Sequence, residues 1–211
     1  MDFSAFLTDR YDILALIAVL IITAIGIGTY FFMKKYQTDI RPKKLAEKES
    51  DKKAQEALKT EFNSYIRRNE GKALYDWSTK SDGYYPNGIL IGNFGVFASV
   101  GCDLSGELYT DEKSPTITKI VLDDKDTYPN PFQELRNIER GIIDILRNNK
   151  IYRTPVFTAV FFSNKNAKIN IPRSSYYLTP KTLRKELRKD QFVEDKGVDI
   201  DVVFEALSNG R

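Results

Sequence analysis

The absence of histidine and the presence of one cysteine limit the chemistry that this chain can carry out. Cys102 is the only cysteine among the 211 residues, and there is no histidine. A Ser-His-Asp or Cys-His nucleophile, a haem bound through histidine and a zinc site of histidines or several cysteines are therefore excluded. One cysteine cannot form an intrachain disulfide. Without a base to lower its pKa, Cys102 is predicted to be a buried structural residue at the end of a strand.

A series of cations near the C-terminus could bind phosphate groups. Thr179-Pro180 predicts the start of a helix that extends to about Lys189, and cations recur along it. The candidate phosphate or nucleic-acid contacts are Lys181, Arg184, Lys185, Arg188 and Lys189. Glu186 and Asp190 interrupt this series, which is also typical of a solvated helix face. Both interpretations stay open.

The charge balance does not favour nucleic acid as the partner. The chain has 32 Lys and Arg against 29 Asp and Glu, a net charge of +3. Residues 81–150 include 7 basic and 11 acidic residues, a net charge of −4, so this segment would repel a phosphate backbone. The sequence contains no glycine-rich phosphate loop and no metal-ligand cluster, and no cofactor is predicted.

The N-terminal region contains a long uncharged segment. Residues 13–33 include no Asp, Glu, Lys or Arg, and a helix of 21 residues spans about 30 Å, the thickness of a bilayer core. A cleaved signal peptide would begin with a basic region and have a shorter apolar stretch, whereas Asp2, Asp9 and Asp12 precede this segment. We therefore predict one retained transmembrane helix over 13–33, with the lipid bilayer as its partner.

The charges that flank this helix predict its orientation. Cations are concentrated on its C-terminal side, at Lys34, Lys35, Arg41, Lys43 and Lys44. By the positive-inside rule the N-terminus lies outside the cell, and the residues after Met33 lie in the cytoplasm. The same five cations are candidate contacts for anionic lipid headgroups. Ala24 and Gly28 have the spacing of a helix-pairing face, which is common in such helices, so the oligomeric state stays open.

The remaining chain is predicted to form a stalk and one globular domain. The predicted boundaries are an extracytoplasmic segment at 1–12, the membrane helix at 13–33, a charged juxtamembrane stalk at 34–55 and the domain at 56–211. Leu58, Phe62, Tyr65 and Ile66 follow helical spacing, so the stalk is expected to continue into the first packed helix of the domain.

Strand and helix signals in the domain predict an α/β or α+β fold with a mixed central sheet flanked by helices. The predicted strands are 88–92, 94–100, 117–122, 155–162 and a short one around Ile169 and Ile171, with a turn at Asn93. Asn130-Pro131 predicts the start of a helix with an apolar stripe, and residues 200–207 predict a closing helix.

Four segments of the domain resemble one known family. Residues 87–97 read NGILIGNFGVF, which resembles the Asp-His-Ile-Leu-Ile-Gly-x-x-Gly-Val-Phe segment of the nuclease-related domain, NERD. Residues 104–109 resemble its Ser-Gly turn and residues 155–163 its hydrophobic strand. Residues 130–133 resemble its Asn-Pro-x-x-Gln helix start, with Gln133 one place early. The resemblance covers about residues 56–207 and implies the PD-(D/E)XK nuclease-like fold.

The resemblance also implies where an active nuclease would carry its catalytic Asp and Glu-x-Lys. The Asp falls on Asn87, the Glu on Val100 and the Lys on Cys102. In such enzymes the carboxylates hold a divalent metal and the lysine stabilises charge on the phosphate. An amide has no charge and valine coordinates nothing, so the site is expected to be degenerate. Glu61 and Gln133 match two minor positions; a solvated helix acid and a polar residue at a helix start are the alternatives.

A displaced metal site is the remaining route to catalysis. Asp103 and Glu107 follow Cys102, but using them as metal ligands requires a one-residue shift of strand register, which turns every side chain to the opposite face.

We therefore expect a membrane-anchored, catalytically inactive NERD-like domain that acts as a binding or scaffold subunit of a protein assembly on the cytoplasmic side. The alternatives are a membrane-tethered nucleic-acid-binding protein and a metal-dependent nuclease with a displaced active site.

Overall fold

The computed structural model describes residues 10–35, 41–77, 84–122, 124–172 and 175–210. The chain divides into two compact units, Met1–Lys48 and Glu49–Arg211. The helices are α1 (Arg10–Lys35), α2 (Arg41–Ile66), α3 (Pro131–Asn148), α4 (Pro180–Glu186), α5 (Asp190–Val193) and α6 (Ile200–Asn209). The strands are β1 (Gly71–Tyr75), β2 (Asn87–Gly92), β3 (Gly95–Cys102), β4 (Gly106–Tyr109), β5 (Thr116–Val121), β6 (Asp124–Pro129), β7 (Val156–Phe162), β8 (Ala167–Asn170) and β9 (Tyr177–Leu178).

The first unit contains α1, which is apolar on all sides. The stretch Leu16–Lys34 is long and apolar enough to cross a membrane, and none of it is buried inside the structure. The hydroxyl of Thr23 donates to the carbonyl of Val19 at 2.7 Å, so its polar group is satisfied without water. The predicted helix over 13–33 is thus confirmed, and its composition is compatible with a membrane anchor.

Five strands form the first sheet of the second unit, in the order β1-β2-β3-β7-β9. β1, β2 and β3 are antiparallel neighbours, whereas β3, β7 and β9 are parallel. Asn93 and Phe94 form the turn between β2 and β3, and Gly95 follows with a φ of +124°, a conformation that L side chains rarely adopt. The predicted turn at Asn93 is confirmed, and so is the placement of residues 88–92, 94–100 and 155–162 in one sheet.

A second sheet has the strand order β6-β5-β4-β8 and is also mixed, because β8 runs parallel to β4. The single central sheet expected from the sequence is therefore two sheets. The strand predicted around Ile169 is β8, and it belongs to this second sheet rather than the first. β6 was not predicted, because its sequence DKDTYP is polar and its pairing with β5 is what makes it a strand.

Helices cover both faces of the first sheet. On one face, α3 and α6 pack against β2 and β3 with side chains such as Phe132, Ile142 and Val203. On the other face, α2, α4 and α5 pack through an aromatic cluster that includes Phe62 and Phe97. The core between the first sheet and the helices α3 and α6 also includes Leu108, which lies on β4 of the second sheet. Chain segments that are far apart in sequence therefore share each core.

The local signals for α3 are confirmed. Asn130 caps the helix, since its side-chain oxygen accepts the backbone N–H of Phe132 at 3.1 Å, and Pro131 is the first helical residue. The basic helix is shorter than predicted and ends at Glu186 rather than near Lys189. It ends there because the N–H groups of Arg188 and Lys189 bond the carbonyls three residues earlier, which tightens the last turn.

Candidate functional site

The three positions onto which the resemblance would put a catalytic Asp, Glu and Lys lie together at one corner of the first sheet. Asn87 on β2 is the direct register partner of Val100 on β3, and Cys102 is two residues further along β3 on the same face. Val100 and Cys102 have no exposed surface, and Asn87 is 6% exposed. The structure therefore brings together the residues that the sequence singled out, in an environment closed to solvent.

The amide of Asn87 is engaged in holding the ends of two strands together. Its side-chain oxygen accepts the backbone N–H of Trp77 at 2.8 Å, and its backbone carbonyl accepts the N–H of Asp76 at 3.1 Å. Asp76, just after β1, has a φ of +51°, and Gln55 on α2 donates to its carboxylate. Trp77 in turn donates its indole N–H to the carbonyl of Leu207 at 2.8 Å. Asn87 thus has a structural role in the described part of the chain.

Apolar side chains surround the other two positions. Val100 and Cys102 belong to the core between the first sheet and α3, with Tyr85 and Phe132 as further members. Burial is the main reason why the pKa of the Cys102 thiol is raised to about 12. A hydrogen bond with the backbone of Leu104 lowers this pKa, and nearby negative charge raises it. The thiol therefore stays protonated at neutral pH. The prediction of a buried structural cysteine at a strand end is confirmed.

A divalent metal ion such as Mg²⁺ does not fit this corner. Mg²⁺ requires hard, preferably anionic oxygen ligands. Asn87 offers one amide oxygen already bonded to Trp77, Val100 offers no ligand atom, and Cys102 offers a protonated thiol. Within the described ranges, no group of three or more Cys, Asp or Glu side chains is placed to hold a metal ion.

Glu134 is a site residue that the sequence analysis missed. Its carboxylate, near the start of α3, accepts the backbone N–H groups of Tyr84 at 3.1 Å and Tyr85 at 3.2 Å. Its pKa is raised to about 7, mainly by burial. The hydrogen bonds from the two backbone N–H groups act in the opposite direction, and the negative charge of Asp51 adds to the increase. One signal in the sequence could have identified it. In the pattern Asn-Pro-x-x-Gln, Gln133 comes one place early, and Glu134 is the residue that stands in the place of the Gln. This carboxyl group can therefore gain or lose a proton near neutral pH.

Gln133 itself points elsewhere. Its side-chain amide donates to the backbone carbonyl of Glu112 at 2.5 Å, and Glu112 forms an ion pair with Arg136 at 2.7 Å. These contacts fasten the loop before β5 to the first turns of α3. Of the two interpretations given for Gln133, the one that the contacts favour is a polar residue near a helix start with a structural partner.

Glu61 is buried, so the alternative interpretation of this residue as a solvated acid on a helix surface is wrong. It is 5% exposed on the inner face of α2, and the guanidinium of Arg184 on α4 binds both of its carboxylate oxygens, at 3.0 and 2.5 Å. The sequence could not place this pair, because its members are 123 residues apart. The ion pair clamps α4 to α2 on the face of the sheet opposite to Val100 and Cys102.

The carboxylates proposed for a displaced metal site are each bound by other side chains. Asp103 accepts a hydrogen bond from the hydroxyl of Ser163 at 2.6 Å. Glu107 forms an ion pair with Lys168 at 2.7 Å and accepts the hydroxyl of Tyr109 at 2.6 Å. The hydrogen bond and charge of Lys168 are the main reason why the pKa of Glu107 is lowered. Glu107 lies on the second sheet, whereas Asp103 follows the end of β3.

The cations proposed to contact phosphate are not equally available. Arg184 is held by Glu61, and Lys189 forms an ion pair with Glu186 at 2.7 Å. Lys181, Lys185 and Arg188 are exposed.

Among the candidate lipid contacts, Lys34 is exposed near the end of the apolar helix α1. The side chains of Lys35, Arg41, Lys43 and Lys44 lie outside the described residues.

Comparison with known proteins identifies no relative of this chain. No family model, no curated protein and no solved structure matches it.

Proposed function

We propose that this chain is a membrane-anchored, catalytically inactive NERD-like domain of the PD-(D/E)XK nuclease-like fold, which acts in the cytoplasm as a binding or scaffold subunit. The observation that carries this proposal is the corner formed by Asn87, Val100 and Cys102. These three residues occupy neighbouring positions, as the resemblance requires of a catalytic set, and none of them can perform the chemistry of that set.

The fold part of the proposal is supported by strand arrangement. The segments that carry the resemblance, on β2, β3 and β7, are neighbours in one mixed sheet, and α3 lies between β3 and β7 in sequence and packs on that sheet. The register also supports the alignment, because Asn87 and Val100 face each other, so a carboxylate at each position could share one metal.

The absence of catalysis is argued from charge and solvation. Water activation and clamping of a phosphate both depend on the bound metal, which supplies most of the rate in enzymes of this kind. The corner has no carboxylate to bind that metal, and Trp77 already uses the oxygen of Asn87. Asp103 and Glu107 are bonded to Ser163 and Lys168, so a displaced site would first have to break those contacts.

The membrane part of the proposal rests on α1 and its flanking charges. The apolar stretch Leu16–Lys34 is followed by further cations in the sequence, and this asymmetry favours a cytoplasmic second unit. Protease added outside intact cells should then leave the second unit uncleaved, whereas protease added to inverted vesicles should remove it. Removal of the second unit from intact cells would show that the orientation is reversed.

Nucleic-acid binding is the weaker candidate. Two of the five cations on and just after α4 are held by Glu61 and Glu186, and residues 81–150 carry a net charge of −4. The three exposed cations, Lys181, Lys185 and Arg188, would attract phosphate weakly and without sequence preference.

The test of this proposal is a cleavage and binding assay on the full chain in mild detergent. Labelled single- and double-stranded DNA and RNA are incubated with the chain in Mg²⁺ and in Mn²⁺, and we expect no cleavage. Cleavage that is lost in Asp103→Ala or Glu107→Ala, but kept in the exposed control Asp144→Ala, would overturn the proposal and establish a displaced active site. Retention of the nucleic acid without cleavage would favour the binding alternative. Proteins that co-purify with the wild-type chain identify its partners.

A further inference from the structure

The hairpin of β5 and β6 presents apolar side chains at its tip. Leu122, directly after β5, is 94% exposed, and its neighbour Val121 is 42% exposed. Asp124 and Asp126 follow on β6 with exposed carboxylates, with Lys125 between them. Asp123 lies outside the described residues. The tip therefore combines an apolar point with exposed acidic groups.

The backbone of Leu122 is unfavourable for a leucine. Its φ is +56°, in the left-handed region that favours Gly or Asn, and hairpin turns normally use those residues for this reason. The side chain gains no burial in exchange, because almost all of its surface is exposed. Residues in such unfavourable backbone conformations cluster at functional sites, among them sites that clamp a ligand. Leu122 is accordingly a candidate anchor for a partner.

A groove elsewhere on the second unit has the complementary properties. It lies between the end of α3 and α6, has a volume of about 350 Å³, and is lined by Asn149, Ile151, Val202, Glu205, Ala206, Asn209 and Gly210. Ile151, Val202 and Ala206 make it partly apolar. The chain after α3 carries two exposed cations, with φ values of +59° and +70°: Lys150, between the lining residues Asn149 and Ile151, and Arg153, two residues after Ile151. The described residues include four non-glycine positions with positive φ, and Leu122, Lys150 and Arg153 are three of them.

The tip and the groove lie at opposite ends of β3. The side chain of Val121 lies against Gly106, just beyond the end of β3 at Cys102. At the other end of β3, the N–H of Val96 bonds the carbonyl of Pro155 at 2.9 Å, and Pro155 is four residues after Ile151, which lines the groove. The eight residues of β3 span about 25 Å. Leu122 is 94% exposed in the folded chain, so one copy does not hold its own tip in its own groove.

We propose that Leu122 of one copy of this chain docks into the groove between α3 and α6 of a second copy, with Asp124 and Asp126 facing Lys150 and Arg153. Glu205 also lines the groove, so the acidic residues of the tip are expected on the side of Lys150 and Arg153. Each docked pair leaves one tip and one groove unused, so the contact is head-to-tail and continues into a row of copies. This inference deepens the proposed binding role, since it names a second copy as the partner.

Disulfide trapping between two variants of the full chain tests this contact. Leu122→Cys and Val202→Cys chains are mixed in liposomes and oxidised; native Cys102 has no exposed surface and does not interfere. We expect the mixture to cross-link at least about tenfold faster than Leu122→Cys mixed with Val193→Cys, a control at an exposed valine on α5. Equal rates in the two mixtures would overturn the proposal.

A second variant separates docking from folding. Leu122→Asn suits the left-handed backbone, so the fold is kept, and its thermal stability should equal or exceed that of the wild type. Its self-association in detergent, measured by analytical ultracentrifugation, should weaken at least about tenfold, whereas Val193→Asn should leave association unchanged. Association that persists in Leu122→Asn, for instance through pairing of α1, would overturn the inference. A chain that is monomeric and does not cleave nucleic acid would refute this contact but not the proposed function. A chain that self-associates through this contact and also cleaves nucleic acid would refute the proposed function but not the contact.

Discussion

Asn87 and Val100 lie directly opposite each other on β2 and β3, with their side chains on the face of the sheet that α3 covers. Register partners in an antiparallel pair share one small volume, so the character of this corner depends on both residues together. Here the pair is an amide bonded to a backbone N–H and an aliphatic side chain with no exposed surface. Any charge introduced at this corner is therefore a buried charge.

Replacing Asn87 with aspartate should destabilise the domain, and more so at higher pH. Burial raises the pKa of a carboxyl in the folded state, so its stabilising contribution is present below the unfolded value and is lost as the pH rises. We expect a loss of about 1–3 kcal/mol in the free energy of unfolding at pH 8, and a smaller loss at pH 4.5. Urea unfolding at both values measures it. The same change at Asn170, an exposed strand residue, should have little effect at either pH.

Replacing Glu134 with glutamine should stabilise the domain above neutral pH. The pKa of Glu134 is raised to about 7 in the fold from an ordinary value of 4.5, so the folded state binds more protons than the unfolded state between these values. The contribution of this carboxyl is therefore fully present below about pH 4.5 and is lost as the pH rises through 7. Glutamine keeps an oxygen for the amides of Tyr84 and Tyr85 without the charge.

Unfolding of wild type and Glu134→Gln across pH 4.5 to 8 checks this expectation. The two curves should be close at pH 4.5, should diverge as the pH rises from there, and should keep a constant separation above about pH 7, with the variant more stable. Glu139→Gln on the same helix controls for the loss of a negative charge from α3. A variant less stable than wild type at pH 8 would mean that the carboxylate holds the two amides better than the neutral group does.

Removing the charge of Arg184 should destabilise the domain more than removing that of Lys181. Arg184→Gln leaves the carboxylate of Glu61, a buried side chain, without its bidentate partner, whereas Lys181 is an exposed cation of the same helix. Thermal unfolding of both variants measures the difference. In a double-mutant cycle, Glu61→Gln should recover much of the stability that Arg184→Gln loses. Equal effects of the Arg184 and Lys181 changes would show that the ion pair contributes nothing beyond a surface charge.

Cys102 should resist alkylation as long as the domain is folded. The thiolate is the reactive form, and burial raises the pKa of this thiol to about 12. Incubation with iodoacetamide at pH 8, followed by mass spectrometry, should show a rate at least about tenfold slower in buffer than in denaturing urea. Cys102→Ser identifies any modification of other residues. Rapid modification of the folded chain would show that this corner opens to solvent.

Local signals in the sequence were sufficient for several elements. The uncharged run over 13–33 predicts α1, Asn130-Pro131 predicts the start of α3, and Asn93 predicts the turn between β2 and β3. Each of these depends on interactions within a few residues: helix propensity and length, a side-chain cap, or a tight turn. The burial of Cys102 followed in the same way, from its place at the end of an apolar strand.

Partners distant in sequence could not be found in this way. Glu61 and Arg184 are 123 residues apart, and Glu134 is 49 residues from Tyr85. The separation of the strands into two sheets also escaped prediction, because β6 is polar and becomes a strand through its pairing with β5. The sequence by itself determined which residue types stand at positions 87, 100 and 102, and none of the three is a carboxylate or a lysine. The tertiary structure decided that these positions are neighbours in a closed apolar corner, because strand register and helix packing are long-range properties that no local pattern encodes.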